Sequence, residues 1–312
     1  MDQVRTFNGE IGVSQLKGDR PDQEDDFGIL DKQGINGEEK EHTVLILADG
    51  MGGAVSGRTA STSVVSSAIR GYQEQNGPIV NRLSQSCIEA NRELARLIKT
   101  NSQLNGMGST LVVASITKSG IQWVSIGDSP LWLFRNDKLQ RLNADHSLSP
   151  FLMEMAAQGH LTEEAARADP KRHILISAVM GGVIEKLDLA PQPTPLQPDD
   201  IILLASDGVE TLTENRIKEI LGRPDRDIGV ITKNLINAVI AKNHPGQDNT
   251  TVILYKVCKS NTNSKNNYPL FNTNKYMEVR YLCGIIILLC ILLTGYLIVQ
   301  SNLHFSTYIH LP

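Results

Sequence analysis

Residues Thr110–Arg135 read TLVVASITKSGIQWVSIGDSPLWLFR. Three apolar, β-branched runs, Thr110–Thr117, Ile121–Ile126 and Leu131–Arg135, are separated only by Lys118-Ser119-Gly120 and by Gly127-Asp128-Ser129-Pro130. Short runs bounded by turn formers are the mark of strands, and the trio predicts an antiparallel meander. Outward from it, Thr43–Ala48 (TVLILA), Ile201–Ala205 (IILLA) and Thr251–Val257 (TVILYKV) have the same character, and Phe27–Leu30 (FGIL) is a shorter relative. Between these clusters lie helical periods. Ile79, Leu83, Cys87, Ala90, Leu94 and Leu97 recur at steps of three and four, as do Ile228, Ile231, Leu235 and Val239. A third helix, rich in small residues, is expected from Arg58 to about Arg70. Clustered strands with helices between clusters favour an α+β layered domain over a strict βαβ repeat.

The chain has 312 residues, of which 41% are hydrophobic and 21% charged, a globular composition. Lys and Arg total 30 against 34 acids, giving a net charge of −4. Without a basic excess, and with only six Phe and two Trp, nucleic acid is not an expected partner. Cys87, Cys258, Cys283 and Cys290 form no CxxC pair and no zinc spacing, which predicts a reduced, cytosol-facing domain. The start, MDQVRTFNGEIG, lacks an apolar core, so no signal peptide is expected.

Composition changes sharply near the end. The stretch after Cys258, KSNTNSKNNYPLFNTNK, is rich in Asn, Ser, Thr and Lys without any period, as a flexible linker would be. Tyr281–Val299, YLCGIIILLCILLTGYLIV, carries no charge. As a helix it would span roughly 28 Å, close to the hydrocarbon thickness of a bilayer. Lys265, Lys275 and Arg280 precede it, and SNLHFSTYIHLP after it has no Lys or Arg. The positive-inside rule then puts the large domain in the cytoplasm of a single-pass protein of the plasma or inner membrane. The expected division is residues 1–258 as the folded domain, 259–279 as linker, 280–300 as a transmembrane helix and 301–312 as a short outer tail.

The aspartates sit at the ends of the strands. TVLILA runs into Asp49-Gly50, VSIG into Asp128-Ser129, and IILLAS into Asp207-Gly208. Asp248-Asn249 stands just before TTVILYKV, and Gln23-Glu24-Asp25-Asp26 precedes FGIL. If these ends converge, several carboxylates share one small space, which repulsion and desolvation make untenable without cations. An all-oxygen donor set suits hard ions, Mg²⁺ or Mn²⁺. Two such ions about 3.5–4 Å apart can hold a water as hydroxide and clamp a phosphate oxygen. Taken singly, each Asp-Gly is first a turn signal and the QEDD run a solvated charge run. The case rests on five such sites in one domain.

In this order the residues carry a signature. The chain resembles the metal-dependent protein phosphatases (PPM) of the protein phosphatase 2C type, particularly their bacterial branch. The blocks are GDRPDQEDD, LADGMGGAVSGRTAS, GMGSTLVVASI, VSIGDSPLWLF, NADHSL, DPKRHILISAVMGG, LLASDGV and GQDNTTVIL. The resemblance implies a four-layer α/β/β/α sandwich, two antiparallel sheets flanked by helices. It also implies a protein serine/threonine phosphatase that cleaves phosphoserine and phosphothreonine with a metal-bridged hydroxide. It places Asp49 as the bridge between two metals, Gly50 as a carbonyl ligand, Asp207 and Asp248 as ligands of the second metal, and Glu24 near the first. Asp25 falls where an acid orients metal-bound water, and Arg20 where the family binds phosphate. Asp128 matches a ligand of a third, weaker metal shared with Asp207, and Asn249 would support the Asp248 loop. A guanidinium beside an acidic cluster also suits phosphate on chemical grounds, although a surface ion pair with Asp22 or Glu24 would explain Arg20 equally well.

The chain departs from the pattern at three positions. Met51 and Ala54 stand where members carry His, so the proton donor is open, and Pro130 stands where Arg often follows GDS. His146 is expected to hold a loop, and His42, His160, His173 and His244 to lie on the surface. Residues 151–180 resemble the family's variable flap, expected to gate access. Expected partners are phosphorylated proteins, among them a membrane Ser/Thr kinase and its substrates. The alternatives are a catalytically weak phosphoprotein-binding module of the same fold and a small-molecule phosphohydrolase.

Overall fold

A computed structural model describes residues 9–32, 42–223 and 227–258. In chain order the elements are β1 (Gly9–Leu16), β2 (Asp25–Lys32), β3 (His42–Met51), α1 (Ala54–Glu74), α2 (Ile79–Thr100), β4 (Gly108–Ser109), β5 (Leu111–Thr117), β6 (Gly120–Ile126), β7 (Leu131–Arg135) and β8 (Lys138–Arg141). They continue with α3 (Ser149–Ala157), α4 (Glu163–Ala168), β9 (Asp188–Leu189), β10 (Ile201–Ala205), α5 (Glu214–Leu221), α6 (Ile228–Lys242) and β11 (Thr250–Val257). One sheet runs β1-β11-β10-β7-β8; the other runs β2-β3-β5-β6-β9, with β4 paired to β3. Every pairing is antiparallel.

The period of two along β3 explains the layers. Val44, Ile46 and Ala48 face α1 and α2, where they pack with Val64, Ala68, Leu83 and Leu94. Leu45 and Leu47 face the other way, into a middle layer with Leu133, Ile202, Leu204 and Ile253 of the second sheet. The outer face of that sheet, including Leu203 and Leu254, packs on Ile217, Ile231 and Leu235 of α5 and α6. A strand buried on both faces reads as an unbroken apolar run, as TVLILA does. The result is the four-layer α/β/β/α order. Truncating Leu45 to Ala would open a cavity in the middle layer and cost about 2–5 kcal/mol.

The meander is only half realised. β5 and β6 pair as expected, Leu111 opposite Ile126, but β7 leaves them and pairs with β10 in the other sheet. Gly127-Asp128-Ser129-Pro130 is therefore a crossing between sheets rather than a hairpin turn. Gly127 takes φ 100°, open to glycine, and a Cβ there would lie 2.6 Å from Thr110 Cγ2. The crossing carries Asp128 to the gap between the sheets.

Two edge strands, β1 and β8, carry no continuous apolar run and escape a reading based on such runs. Helix α1 begins at Ala54, earlier than Arg58, after Gly52 and Gly53 at φ 120° and 86° turn the chain out of β3. The expected linker, transmembrane helix and outer tail lie outside the described residues. Among the described residues, no helix is long and apolar enough to cross a membrane.

Candidate active site

The site forms at one end of the sandwich, where segments from both sheets come together. Asp25 opens β2 and is directly opposite Asp49 near the end of β3. Asp207 opens a 3-10 turn, Asp207–Thr211, after β10, and Asp248 sits in the turn before β11. Asp128 occupies the crossing between β6 and β7. Acids separated by two hundred residues of sequence thus share one field. The Asp49 carboxyl is held well above the usual carboxylate range, first by desolvation and then by Asp25, Asp207, Asp128 and Asp248. Asp207 is raised in the same way, by desolvation and by Asp128, Asp248, Glu210 and Asp25.

Asp25 is buried and divided in its bonding. Its Oδ2 accepts from Ser206 Oγ at 2.8 Å and from Thr251 Oγ1 at 2.7 Å, while its Oδ1 is buried with no hydrogen-bond partner. Desolvation, with Asp248 and Glu24 adding repulsion, outweighs the two hydroxyls and pushes its pKa to about 6. Asp207 Oδ1 is likewise buried without a partner. Asp128 is pushed to about 7 by desolvation, Asp145 and Glu210.

The backbone of Asp49 is fixed by the Gly108-Ser109-Thr110 segment. Asp49 N donates to Thr110 Oγ1 at 2.9 Å, and its carbonyl accepts from Thr110 N at 2.9 Å and Ser109 Oγ at 2.9 Å. Gly50 is glycine because α1 comes so close: a Cβ there would lie 2.0 Å from the Gly57 carbonyl oxygen. A Cβ on Gly57 would in turn meet Glu24 Oε2 at 2.5 Å and the Gly50 carbonyl at 3.1 Å. The Glu24 carboxylate and the Gly50 carbonyl therefore lie against the same face of Gly57.

Arg20 pairs with Asp248, Nη2 to Oδ2 at 2.5 Å, with half of its side chain exposed. This bond is the largest influence raising the Arg20 pKa, with Glu24 and Asp207 contributing through their charge. The Asn249 side chain bonds to the loop that carries Arg20 and Glu24. Its Oδ1 accepts from Glu24 N at 2.7 Å, and its Nδ2 donates to Lys17 O at 2.7 Å and Asp22 O at 3.0 Å. One buried amide thus holds the whole loop that carries Arg20 and Glu24.

The other expectations divide. His146 is buried, and its Nδ1 accepts from Gly127 N at 3.2 Å, so it does hold the crossing loop. His160 and His244 are exposed. His42 is not on the surface: it is buried against the Tyr72 ring, centroids 5.7 Å apart. His173 is exposed, as expected, yet it is not remote from the site, since its Nδ1 stands 3.9 Å from Asp207 Oδ2. Desolvation lowers its pKa below the ordinary 6.5. Arg141, unread in the sequence, donates from Nη2 to the Asp128 carbonyl at 2.5 Å and pairs with Asp145 at 3.3 Å, bringing an arginine beside the crossing despite Pro130. The half-buried Met51 meets Met180 over Gly108, where a Cβ would lie 2.5 Å from Met51 Cε and 3.0 Å from Met180 Cγ.

The donors are carboxylates and one carbonyl, with two buried acceptor oxygens lacking donors. That chemistry fits hard divalent cations and does not fit a neutral ligand. The sequence profile described as Protein phosphatase 2C matches residues 12–224. The chain belongs to the protein phosphatase 2C family. Within it, the chain is 31% identical over 230 residues to the serine/threonine phosphatase stp of Listeria innocua, covering 72% of this chain and 88% of that one. The serine/threonine phosphatase PstP/Ppp of Mycobacterium tuberculosis has a similar structure, with TM-score 0.65 and 25% identity over 81% of this chain and 100% of that one. The PstP catalytic domain in complex with two manganese ions gives the same TM-score, 0.65, and 25% identity over 81% of this chain and 100% of that one.

Proposed function

We propose that this protein phosphatase 2C member hydrolyses phosphoserine and phosphothreonine in proteins, with Mn²⁺ or Mg²⁺ held by Asp49, the Gly50 carbonyl, Glu24, Asp207 and Asp248, and a weaker ion near Asp128. The enzyme class, a serine/threonine protein phosphatase, follows from the family. The observation that carries the residue roles is the meeting of five aspartates from two sheets, with buried acceptor oxygens on Asp25 and Asp207 that no protein donor satisfies. Bound there, two such ions supply Lewis acidity and lower the pKa of water.

The chain's own residues do the rest. Arg20 sits at the rim and can present two parallel N–H groups to a phosphate, exchanging its bond with Asp248 for the substrate. Asp25, with Ser206 and Thr251 on one oxygen, leaves Oδ1 to accept from a water and orient it. Met51 brings no proton, so the departing serine oxygen takes its proton from water. Phosphoryl transfer depends mainly on positioning and charge neutralisation, which suits this arrangement.

The apolar segment within residues 280–300 supports a membrane anchor, and residues 259–279 a tether with a root-mean-square reach of about 25 Å. A tethered domain would favour membrane-bound phosphoproteins, such as a Ser/Thr kinase and its substrates, by raising their effective concentration. Phosphopeptide hydrolysis with chelator and with added Mn²⁺ tests the chemistry; turnover that persists in chelator overturns it. Deleting residues 280–312 should release active protein with poorer action on vesicle-bound substrates, and equal action would overturn the anchor.

A further inference from the structure

The side chains of Asp128, His173 and Asp207 each offer a ligand atom, and these three atoms lie within 4.8 Å of one another. Among the described residues this is the one group of three His, Cys, Asp or Glu side chains that comes so close, and it includes a nitrogen donor. His173 Nδ1 to Asp207 Oδ2, at 3.9 Å, is too long for a hydrogen bond. It suits a shared ion: two donors each about 2.1 Å from one cation stand about 3–4.2 Å apart.

The placement of His173 is built rather than incidental. It ends a 3-10 turn, Pro170–His173, which Asp169 caps by accepting from Lys171 N at 2.8 Å. The next residue, Ile174, accepts from Leu148 N at 3.0 Å, and Ile176 N donates to the His146 carbonyl at 2.8 Å. His146 N in turn donates to Gly127 O at 3.1 Å, beside Asp128. A chain of backbone bonds therefore ties the segment bearing His173 to the loop bearing Asp128.

We infer that His173 is a metal ligand, giving the Asp128–Asp207 side of the site an imidazole that favours Mn²⁺ and similar transition ions over Mg²⁺ and fastens residues 170–176 to the site when metal binds. The inference rests on the proposed metal reading and adds a nitrogen to it. Imidazole suits transition ions, whereas Mg²⁺ keeps to oxygen donors. Selectivity between the two ions at this position then comes from His173, since the carboxylates serve both.

The test uses full-length protein in detergent, titrated with Mn²⁺ alone and with Mg²⁺ alone. Pulsed electron paramagnetic resonance of the Mn²⁺-saturated protein should show coupling to a ¹⁴N nucleus, lost in His173→Ala and in His173→Gln. Calorimetry should show the weakest Mn²⁺ site losing about 10-fold in affinity in both variants, with Mg²⁺ affinity unchanged. Trypsin should cut after Arg172 more slowly with Mn²⁺ in the native protein and at an unaltered rate with Mn²⁺ in the variants. Nitrogen coupling that persists in both variants, or is missing from a native protein that binds Mn²⁺, overturns the role of His173 alone. A native protein that binds no Mn²⁺ overturns the metal reading beneath it.

Discussion

Asp25 and Asp49 are cross-strand partners, directly opposite on β2 and β3. Like charges in that position destabilise a sheet, yet here the pair lies at the heart of the site. In the absence of cations, Asp25, Asp128, Asp49 and Asp207 all hold their protons more tightly than ordinary carboxyls do, with Asp25 near 6 and Asp128 near 7 against an ordinary 3.8. The folded chain then binds more protons than the unfolded chain across that window. Metal-free protein should lose stability as pH rises from about 4 to about 7. Thermal unfolding in chelator across this range measures it, and saturating Mn²⁺ should flatten or reverse the slope.

Relief of the same repulsion separates stability from activity. Asp49→Asn and Asp207→Asn should lower phosphatase turnover by about 100-fold or more, because each loses a proposed ligand. Both should nonetheless raise the melting temperature of the metal-free protein, by about 2–4 °C for each kcal/mol of repulsion removed. A lower metal-free melting temperature would mean that these carboxylates stabilise the apo fold, against the field described here.

Asn249 should behave oppositely. Its three bonds hold the Lys17–Glu24 loop, and each is worth about 1 kcal/mol. Asn249→Ala should cost about 2–4 kcal/mol in denaturant unfolding and raise KM as Arg20 and Glu24 lose their placement. An unchanged KM with a large stability loss would show that the loop keeps its form without the amide.

Arg20 is separable from the metals. Arg20→Lys keeps the charge but loses the planar fork, so KM for an aryl phosphate should rise about 10-fold with little change in Mn²⁺ affinity. A variant with native KM would remove Arg20 from phosphate binding.

Much of this was legible because burial on both faces leaves a plain trace. TVLILA and IILLA are unbroken apolar runs, and each ends in a site aspartate. The edge strands Gly9–Leu16 and Lys138–Arg141 were not, because an edge strand mixes polar and apolar positions. The crossing at Asp128 is not legible, because Gly-Asp-Ser-Pro makes a hairpin turn and a change of sheet equally well; pairing partners decide between them, and those are non-local. His173 and Arg141 reach the site through folded paths, one through the segment before Ile176 and one across β8. Neither has a spacing in sequence that marks it. The burial of His42 is hidden in the sequence because a lone imidazole at a strand start reads as polar surface, whereas its ring packs on Tyr72.

Part of the site belongs to β2 and β3, part to the crossing between β6 and β7, and part to the segments flanking β10 and β11, and β11 closes the sheet against β1. Asp248 and the register partner of Gly9, Val257, are among the last residues of the domain to leave a ribosome. On the proposed ligand set, a nascent chain that already displays Asp25 and Asp49 would still be chemically silent. Synthesis itself would then withhold the power to strip phosphate until the final strand slots into place.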